Sequence, residues 1–291
     1  MVLKKKIIFF IFILVLFISL YIISRIWIIP YIYVSQSHHE LLKINNQTTE
    51  IYWNKPENTL DHKYPAIIFV HGIQKEKNGA ITFVNSGLLN RYSKRNFFSA
   101  AVSMAGYGES SGKSDFCGKA SQQNLVQAIN FVRSQPNVDQ NKISVLGISC
   151  GASVANVVAQ SGKINALILV SGFYDFKKMY AQWSSNVRPL PLDVRKEMDE
   201  SIISSKSIQI ASNERLSIPT FSKYPPTLIL IGTKDQIVDP EQSIQLHTVL
   251  NAQGIPNSLE LIKNIGHPVP LSMWENRSDK FLNHTFNTII K

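Results

Sequence analysis

The chain has 291 residues, 44% of them hydrophobic and only 17% charged, and a formal charge of +10. A chain of this length buries a full core, in one large α/β domain or in two small ones. Its charged fraction is below that of typical soluble domains, which indicates that part of the chain is not in water. Four positive charges lie in residues 1–33 and the others are scattered, so we predict no nucleic-acid partner.

The N-terminus has the composition of a membrane-spanning helix. Residues 7–24 contain no charged side chain and would span roughly 27 Å as a helix, close to the thickness of a bilayer core. The segment is flanked by side chains typical of the headgroup region, namely Lys4, Lys5, Lys6, Arg25, Trp27, Tyr31 and Tyr33. We therefore predict a cytoplasmic tip and transmembrane signal-anchor helix over residues 1–34, with residues 35–291 on the extracytoplasmic side. The alternative is a secreted protein whose N-terminal segment is cleaved as a signal peptide.

Short apolar runs then alternate with longer amphipathic stretches. The predicted strands lie at residues 40–44, 50–53, 66–70, 97–104, 142–146, 166–170, 227–231 and 258–262. The predicted helices lie at residues 81–94, 121–134, 152–160, 240–253 and 271–290. From residue 66 onward the runs are apolar almost throughout, as expected of strands covered on both faces. This alternation predicts a wound α/β domain with a mostly parallel sheet and right-handed crossovers.

One connection is too long for an ordinary crossover. Residues 173–224 separate two predicted strands and contain helix-like pieces such as residues 192–205. We interpret them as a small helical cap over the carboxyl end of the sheet, where ligand crevices form in open α/β sheets.

A nucleophile motif lies between a predicted strand and a predicted helix. Gly147-Ile148-Ser149-Cys150-Gly151 matches Gly-x-Ser-x-Gly, a turn that holds its serine strained and exposed. The positions two residues on either side of the nucleophile must be small, which favours Ser149. A turn centred on Cys150 would put Ile148 at a crowded position, and a purely structural turn is the other alternative.

A serine nucleophile needs a base and a carboxylate that orients the base. In folds with this turn the chain order is serine, acid, histidine. Asp235 follows one predicted strand and His267 follows the next, so we predict Ser149, Asp235 and His267 as a catalytic triad. The alternatives for the acid are Asp239, more naturally a helix N-terminal residue, and Asp175, just past the preceding strand.

The loop after the strand at residues 66–70 is the predicted oxyanion loop. Backbone N–H groups at this position would point into the site and stabilise charge that develops during acyl transfer. We predict the amides of Ile73 and Cys150 as the two donors. His71 is predicted to be a structural hydrogen-bonding residue beneath the loop.

Five motifs occur in the order and spacing of the α/β-hydrolase superfamily. They are Val70-His71-Gly72, the run from Ala105 to Gly112, the turn from Gly147 to Gly151, the run from Gly232 to Asp239, and Gly266-His267. The sequence most closely resembles the prolyl-oligopeptidase and dienelactone-hydrolase-like branch, over roughly residues 60–290. The resemblance implies the α/β-hydrolase fold, the same triad and the same oxyanion donors. The sequence lacks the N-terminal β-propeller that makes large oligopeptidases selective for peptides, and it lacks the His-Gly-Gly-Gly form of some lipases.

The two cysteines, Cys117 and Cys150, raise a redox question. Cys117 falls in the loop after the turn that ends at Gly112, which is predicted to lie beside the nucleophile turn. A disulfide between them would pin that turn, and two buried thiols are the alternative.

These features predict a membrane-anchored serine hydrolase that acts through an acyl-enzyme. A small-molecule acyl ester is the predicted substrate and a peptide the alternative. We predict no metal and no cofactor. The cap side chains Phe173, Tyr174, Phe176, Met179, Tyr180 and Trp183 either wall an acyl pocket or only pack the cap onto the sheet. The alternative to an enzyme is a non-catalytic binding protein of the same fold.

Overall fold

The computed structural model describes residues 2–56, 63–215 and 224–288. Helix α1 (Val2–Ile23) continues through a π-helical turn (Ser24–Ile28) into α2 (Ile29–Gln36). Within the described residues one helix is long and apolar enough to cross a membrane. Its most apolar stretch has a mean hydropathy of 2.5, and none of that stretch is buried. A membrane anchor and a signal sequence both have this length and composition.

The domain that follows is built on one eight-stranded sheet. Its strands are β1 (His38–Ile44), β2 (Gln47–Asn54), β3 (Tyr64–Val70), β4 (Phe98–Val102), β5 (Val138–Ile148), β6 (Ala166–Val170), β7 (Thr227–Gly232) and β8 (Asn257–Ile262). The strand order is β1-β2-β4-β3-β5-β6-β7-β8. The first three strands in this order pair antiparallel, and all later pairs are parallel. Because parallel strands end at the same edge of a sheet, the loops after β3, β5, β7 and β8 meet there.

Helices cover both faces of the sheet. Outside the cap they are α3 (Ile81–Asn85), α4 (Leu88–Lys94), α5 (Lys119–Ser134), α6 (Cys150–Ala159), α10 (Pro240–Ala252) and α11 (Leu271–Phe286). Alternate residues of β3 face opposite layers: Ile68 and Val70 pack in the layer with α5 and α6, and Ile67 and Phe69 in the layer with α3, α4 and α11. This is the two-layer burial that the uninterrupted apolar strands predict.

Two predicted helices differ from the structure by more than two residues. The helix predicted over residues 81–94 is broken at Gly87, whose φ is +72°. A Cβ at Gly87 would lie 2.6 Å from the ring of Tyr33, so the break makes room for the end of α2. The helix predicted to reach residue 290 ends at Phe286, because Asn287 adopts the left-handed conformation. Residues 289–291 lie outside the described residues.

The cap contains three helices, α7 (Phe176–Ser184), α8 (Leu192–Ser204) and α9 (Ile208–Glu214). Residues 216–223, which belong to the predicted cap, lie outside the described residues. The cap packs through an aromatic cluster in which Phe173, Phe176 and Trp183 surround Phe116 of the loop before α5. The cap is therefore attached to the sheet by side chains that continue the core layer of α5 and α6.

Candidate active site

The nucleophile motif forms a tight turn between β5 and α6. Ser149 has φ +55° and ψ −120°, outside the regions that side chains ordinarily adopt. A Cβ on Gly147 would lie 2.3 Å from the carbonyl oxygen of Gly151, and a Cβ on Gly151 would lie 2.3 Å from that of Val70. A side chain at either flanking position would clash with the backbone, so both positions require glycine, as the motif predicts.

Ser149, His267 and Asp235 form a hydrogen-bonded line. The Oγ of Ser149 lies 2.9 Å from Nε2 of His267, and Nδ1 of His267 lies 2.7 Å from Oδ2 of Asp235. The Asp235 side chain is fully buried and the His267 side chain is 12% exposed. A carboxylate on Nδ1 leaves Nε2 free to accept the serine proton, which is the tautomer that a general base needs.

The other oxygen of Asp235 is held by its own turn, defined as residues 235–239 and called the acid turn. Oδ1 accepts hydrogen bonds from the backbone N–H groups of Ile237 at 3.0 Å and Val238 at 2.8 Å. Asp239, an alternative acid, instead caps α10 by accepting from the Glu241 amide at 3.2 Å. Asp175, the other alternative, caps α7 by accepting from the Lys178 amide at 2.9 Å. Only Asp235 contacts His267 among these three carboxylates.

The loop after β3 brings its backbone beside Ser149. A Cβ on Gly72 would lie 3.0 Å from the Cβ of Ser149, so this loop and the nucleophile turn are in contact. In the described part of the chain, no hydrogen bond uses the amide of Ile73 or Cys150. Both residues line the same cavity as Ser149 and His267.

His71 lies buried beneath this loop. Its Nε2 accepts from the Met104 amide at 3.0 Å, and its Nδ1 lies 2.7 Å from the carbonyl oxygen of Gly72. This pattern needs a neutral ring with the proton on Nδ1. Burial lowers the pKa of His71 to about 4, which outweighs the opposing effect of the Gly72 carbonyl. His71 joins the oxyanion loop to the loop after β4.

A cavity of about 180 Å³ opens beside Ser149. Its walls are mostly apolar and come from the oxyanion loop, the loop before α5, the acid turn and the cap. Besides Ser149 and His267 the lining residues are Ile73, Phe116, Cys150, Phe173, Trp183, Leu190, Pro191, Val194, Ile237 and Val238. Of the six cap side chains expected to wall a pocket, Phe173 and Trp183 do so. Phe176 and Met179 pack in the core.

A disulfide bond joins Cys117 to Cys150, whose Cα atoms lie 5.4 Å apart. Both residues are almost fully buried. The bond ties the first residue of α6 to the loop that carries Phe116. Because the Cys150 sulfur is bonded, only its backbone amide is free to act in the site.

The cap contributes a set of contacts that sequence reasoning missed. Arg188, between α7 and α8, donates from Nη1 to the carbonyl oxygen of Asp235 at 2.7 Å and forms an ion pair with Asp239 at 3.2 Å. Glu197 of α8 contacts Lys77 of the oxyanion loop and Tyr107. No spacing in the sequence pairs these residues, because each contact joins an insertion to a distant loop.

One group of metal-type ligands occurs among the described residues. His39, Glu50 and Glu109 offer ligand atoms that all lie within 4.8 Å of one another. The Nε2 of His39 lies 3.3 Å from Glu50 and 3.6 Å from Glu109. These distances are those of an ordinary histidine–carboxylate ion pair. The cluster lies on β1, β2 and the loop after β4, at the far edge of the sheet from β7 and β8, and it takes no part in the site.

Solved structures share this architecture. An acylaminoacyl peptidase from Pyrococcus horikoshii is 18% identical, with a TM-score of 0.65 over 88% of this chain. An esterase from Pyrococcus furiosus is 17% identical, with a TM-score of 0.64 over 88% of this chain and 93% of its own. Esterase 2 from Thermogutta terrifontis, solved phosphonylated by sarin, is 17% identical, with a TM-score of 0.64 over 85% of this chain and 94% of its own. This chain spans 42% of the acylaminoacyl peptidase, and no curated protein sequence matches it significantly.

The fold is that of the α/β-hydrolases. Residues 93–288 match the prolyl oligopeptidase family. The match covers more than half of the chain, so the chain belongs to this family. The resemblance that the five sequence motifs indicate is thereby confirmed, as is the α/β-hydrolase fold.

Proposed function

We propose that this protein is a membrane-anchored carboxylic ester hydrolase that acts through an acyl-enzyme on Ser149. The observation that carries the proposal is the hydrogen-bonded line from Ser149 through His267 to the buried Asp235, which lies beside a mostly apolar cavity. A non-catalytic protein has no need to keep all three side chains in this order and geometry.

The proposed reaction has two stages. Nε2 of His267 takes the Ser149 proton while Oγ attacks the ester carbonyl, and the Ile73 and Cys150 amides stabilise the oxyanion. His267 then gives its proton to the departing alkoxide, which leaves the acyl group on Ser149. In the second stage His267 takes a proton from water, the hydroxide attacks the acyl-enzyme, and the proton returns to Ser149 as the acid departs. The Asp235 carboxylate stabilises the imidazolium in both stages.

The size of the cavity favours a short acyl group. Pockets for drug-sized ligands have volumes of roughly 300–1,000 Å³, and the cavity beside Ser149 has about 180 Å³. Its lining beyond the reacting residues is largely aliphatic and aromatic, so no side chain would pair with a charged acyl chain. We therefore propose uncharged short-chain carboxylic esters as the substrate class.

The junction between helix and domain favours an uncleaved anchor. Tyr33 and Val34 near the end of α2 pack against the buried core, and Asn90 donates to Gln36 at 3.1 Å. Cleavage near residue 35 would remove side chains that the domain packs against. The disulfide between Cys117 and Cys150 supports an extracytoplasmic domain, because disulfides persist in oxidising compartments. Intact mass of the mature protein tests this proposal, and a start near residue 35 would contradict it.

The activity is tested on the full chain in detergent with a fluorophosphonate probe and a panel of p-nitrophenyl esters. We expect the probe to label wild type on Ser149, and Ser149→Ala to lose labelling and about 10⁴-fold or more in kcat. Ser185→Ala, an exposed serine in the cap, serves as the matched control and keeps both. Absence of labelling in wild type, or equal labelling of Ser149→Ala, would contradict the proposal.

The family and the likeness to an acylaminoacyl peptidase favour peptides as the second candidate substrate. The same panel includes aminoacyl-nitroanilides. We expect kcat/KM to be highest for the shorter p-nitrophenyl esters and to fall for chains that exceed the cavity. A higher kcat/KM on an aminoacyl-nitroanilide than on every ester would replace the esterase proposal with a peptidase.

A further inference from the structure

The acid turn faces two ways. Its N–H groups at Ile237 and Val238 point inward and hold the Asp235 carboxylate. The carbonyl oxygens of Asp235 and Ile237 point outward, toward the cap. Buried carbonyl groups need hydrogen-bond donors, so the stability of this turn depends on what the cap supplies.

The cap supplies these donors from the end of α7 and the segment after it. Arg188 donates to the carbonyl oxygen of Asp235 at 2.7 Å, and Trp183 donates from Nε1 to that of Ile237 at 2.9 Å. Arg188 also pairs with the Asp239 carboxylate at 3.2 Å, and Gln182 donates to that carboxylate at 2.9 Å. Four contacts from one short stretch of the cap therefore hold the outer side of the acid turn.

We propose that Arg188 is a positioning residue for Asp235. The inference rests on the proposed function of Asp235 as the acid of the triad. Arg188 bridges the first and last residues of the acid turn, and its guanidinium holds the carbonyl of the same residue whose carboxylate orients His267. Without it, the turn loses a cationic donor, and the carboxylate loses its fixed distance to Nδ1 of His267.

Arg188 acts on the acid turn and not on bound substrate. It does not line the cavity beside Ser149. Loss of Arg188 is therefore expected to lower kcat and to leave KM nearly unchanged. A fall in kcat at unchanged KM therefore distinguishes a displaced acid from a lost substrate contact.

The Asp239 carboxylate is ionised at neutral pH. Two cations, Arg188 and Lys178, lie near it. Burial acts to raise the pKa of Asp239, but hydrogen bonds from Gln182 and the Glu241 amide and these two cations outweigh it, so its pKa lies below the usual value. The ion pair between Arg188 and Asp239 is therefore present under the conditions of the assay.

The experiment compares Arg188→Met, Arg188→Lys and Arg195→Met in the full chain with a p-nitrophenyl ester. Arg195 is the matched control, because it is also a cap arginine that donates to a backbone carbonyl, that of Ser184 at 3.3 Å, but it does not contact the acid turn. We expect Arg188→Met to lower kcat by about 10–100-fold with KM within about twofold of wild type. Arg188→Lys keeps the charge without the planar fork and recovers part of the loss. Arg195→Met keeps the wild-type kcat and KM.

A second variant protects the test against a failure to fold. Asp239→Asn removes the charge that pairs with Arg188 and keeps an oxygen for the Glu241 amide, and we expect a smaller loss of kcat with KM again nearly unchanged. Wild-type kcat in Arg188→Met, whether or not KM rises, or a loss of kcat that Arg188→Lys does not recover in part, would overturn the role of Arg188. A wild-type protein that neither reacts with the fluorophosphonate nor hydrolyses esters would instead overturn the proposed function, so the two failures are distinct.

Discussion

The turn that carries Ser149 and the acid turn both follow parallel strands of one sheet, yet they are held by different parts of the molecule. The Ser149 turn is enclosed by backbone: the glycines at 147 and 151 contact main-chain atoms at distances that exclude a side chain. Cys150, the first residue of α6, is also joined to Cys117 by a disulfide bond. The acid turn is held from outside by polar side chains of the cap, chiefly Arg188, Trp183 and Gln182.

One site therefore combines two kinds of rigidity. Steric enclosure is part of the core, so a change at the Ser149 turn is expected to lower the free energy of unfolding and the activity together. Polar contacts from an insertion contribute little to global stability, because each net hydrogen bond is worth only about 1 kcal/mol. Changes at the acid turn are therefore expected to lower activity with little effect on stability.

The largest effect is expected for Gly151→Ala. The new Cβ would meet the carbonyl oxygens of Val70 and His71 at 2.3 and 2.4 Å, and neither is able to move without shifting β3 or the oxyanion loop. We expect a loss of more than about 4 kcal/mol in the free energy of unfolding, together with loss of fluorophosphonate labelling. Urea denaturation measures the loss of stability, and in-gel fluorescence of the labelled protein measures the loss of labelling.

Gly266→Ala is the control for Gly151→Ala. Its Cβ would meet only the Lys234 carbonyl oxygen at 3.8 Å, an ordinary contact, although it also lies beside a residue of the site. We expect its stability to stay near that of wild type. If Gly151→Ala were as stable as Gly266→Ala, the prediction that the Ser149 turn is held by steric enclosure would be wrong.

The disulfide gives the next largest effect. It closes a loop with a sequence separation of 33 residues, for which the chain-entropy relation gives about 3–4 kcal/mol. Reductant is therefore expected to lower the free energy of unfolding of wild type by this amount, and to leave Cys117→Ala unchanged. Equal denaturation curves for wild type with and without reductant, once mass analysis has shown that the bond is broken, would contradict the expectation.

The two turns also differ in how well the sequence predicts them, because one is held by backbone and the other by distant side chains. The Ser149 turn depends on contacts among residues close in sequence and on the ends of apolar strands, so a five-residue motif and the strand–helix alternation were sufficient to predict its form. The break at Gly87 and the donors from Arg188 depend on partners about fifty residues away, on α2 and on the acid turn. No local propensity or periodicity encodes those pairings, so the sequence predicted the cap but not what it holds.

The support of the Ser149 turn is expected to depend on pH, because His71 lies beneath the loop that contacts this turn. The pKa of His71 is lowered to about 4 in the folded protein from the 6.5 of a free histidine. The unfolded chain therefore binds more protons between these values, and stability falls as the pH falls from about 6.5 to 4. Linkage gives a loss of about 3 kcal/mol at pH 4 relative to pH 8.

Denaturation of wild type and His71→Gln across this pH range isolates the contribution. Carboxylates whose pKa is lowered by folding, such as Asp239 and Glu275, lose their stabilising effect only when the pH falls below the ordinary carboxyl pKa near 4. Both proteins contain these carboxylates, so their contribution cancels in the comparison. We expect the slope between pH 6.5 and 4 to be smaller in His71→Gln by the His71 contribution. Parallel curves for the two proteins would show that the imidazole protonates in the folded state.

The smallest effect is expected at the acid turn, from Gln182→Met. The change removes a single hydrogen bond to the Asp239 carboxylate, 2.9 Å long, and leaves Arg188 in place. We expect the free energy of unfolding to fall by less than about 1 kcal/mol, while kcat falls by about 3- to 5-fold because the acid turn is held less firmly. Gln209→Met, which changes a glutamine of α9 that bonds only Asn213, is the matched control and is expected to keep the wild-type kcat. The ratio of activity loss to stability loss for Gln182→Met is compared with that for Gly151→Ala. If the ratio were no higher for Gln182→Met, both turns would belong to one rigid unit. The distinction between steric and polar support would then fail.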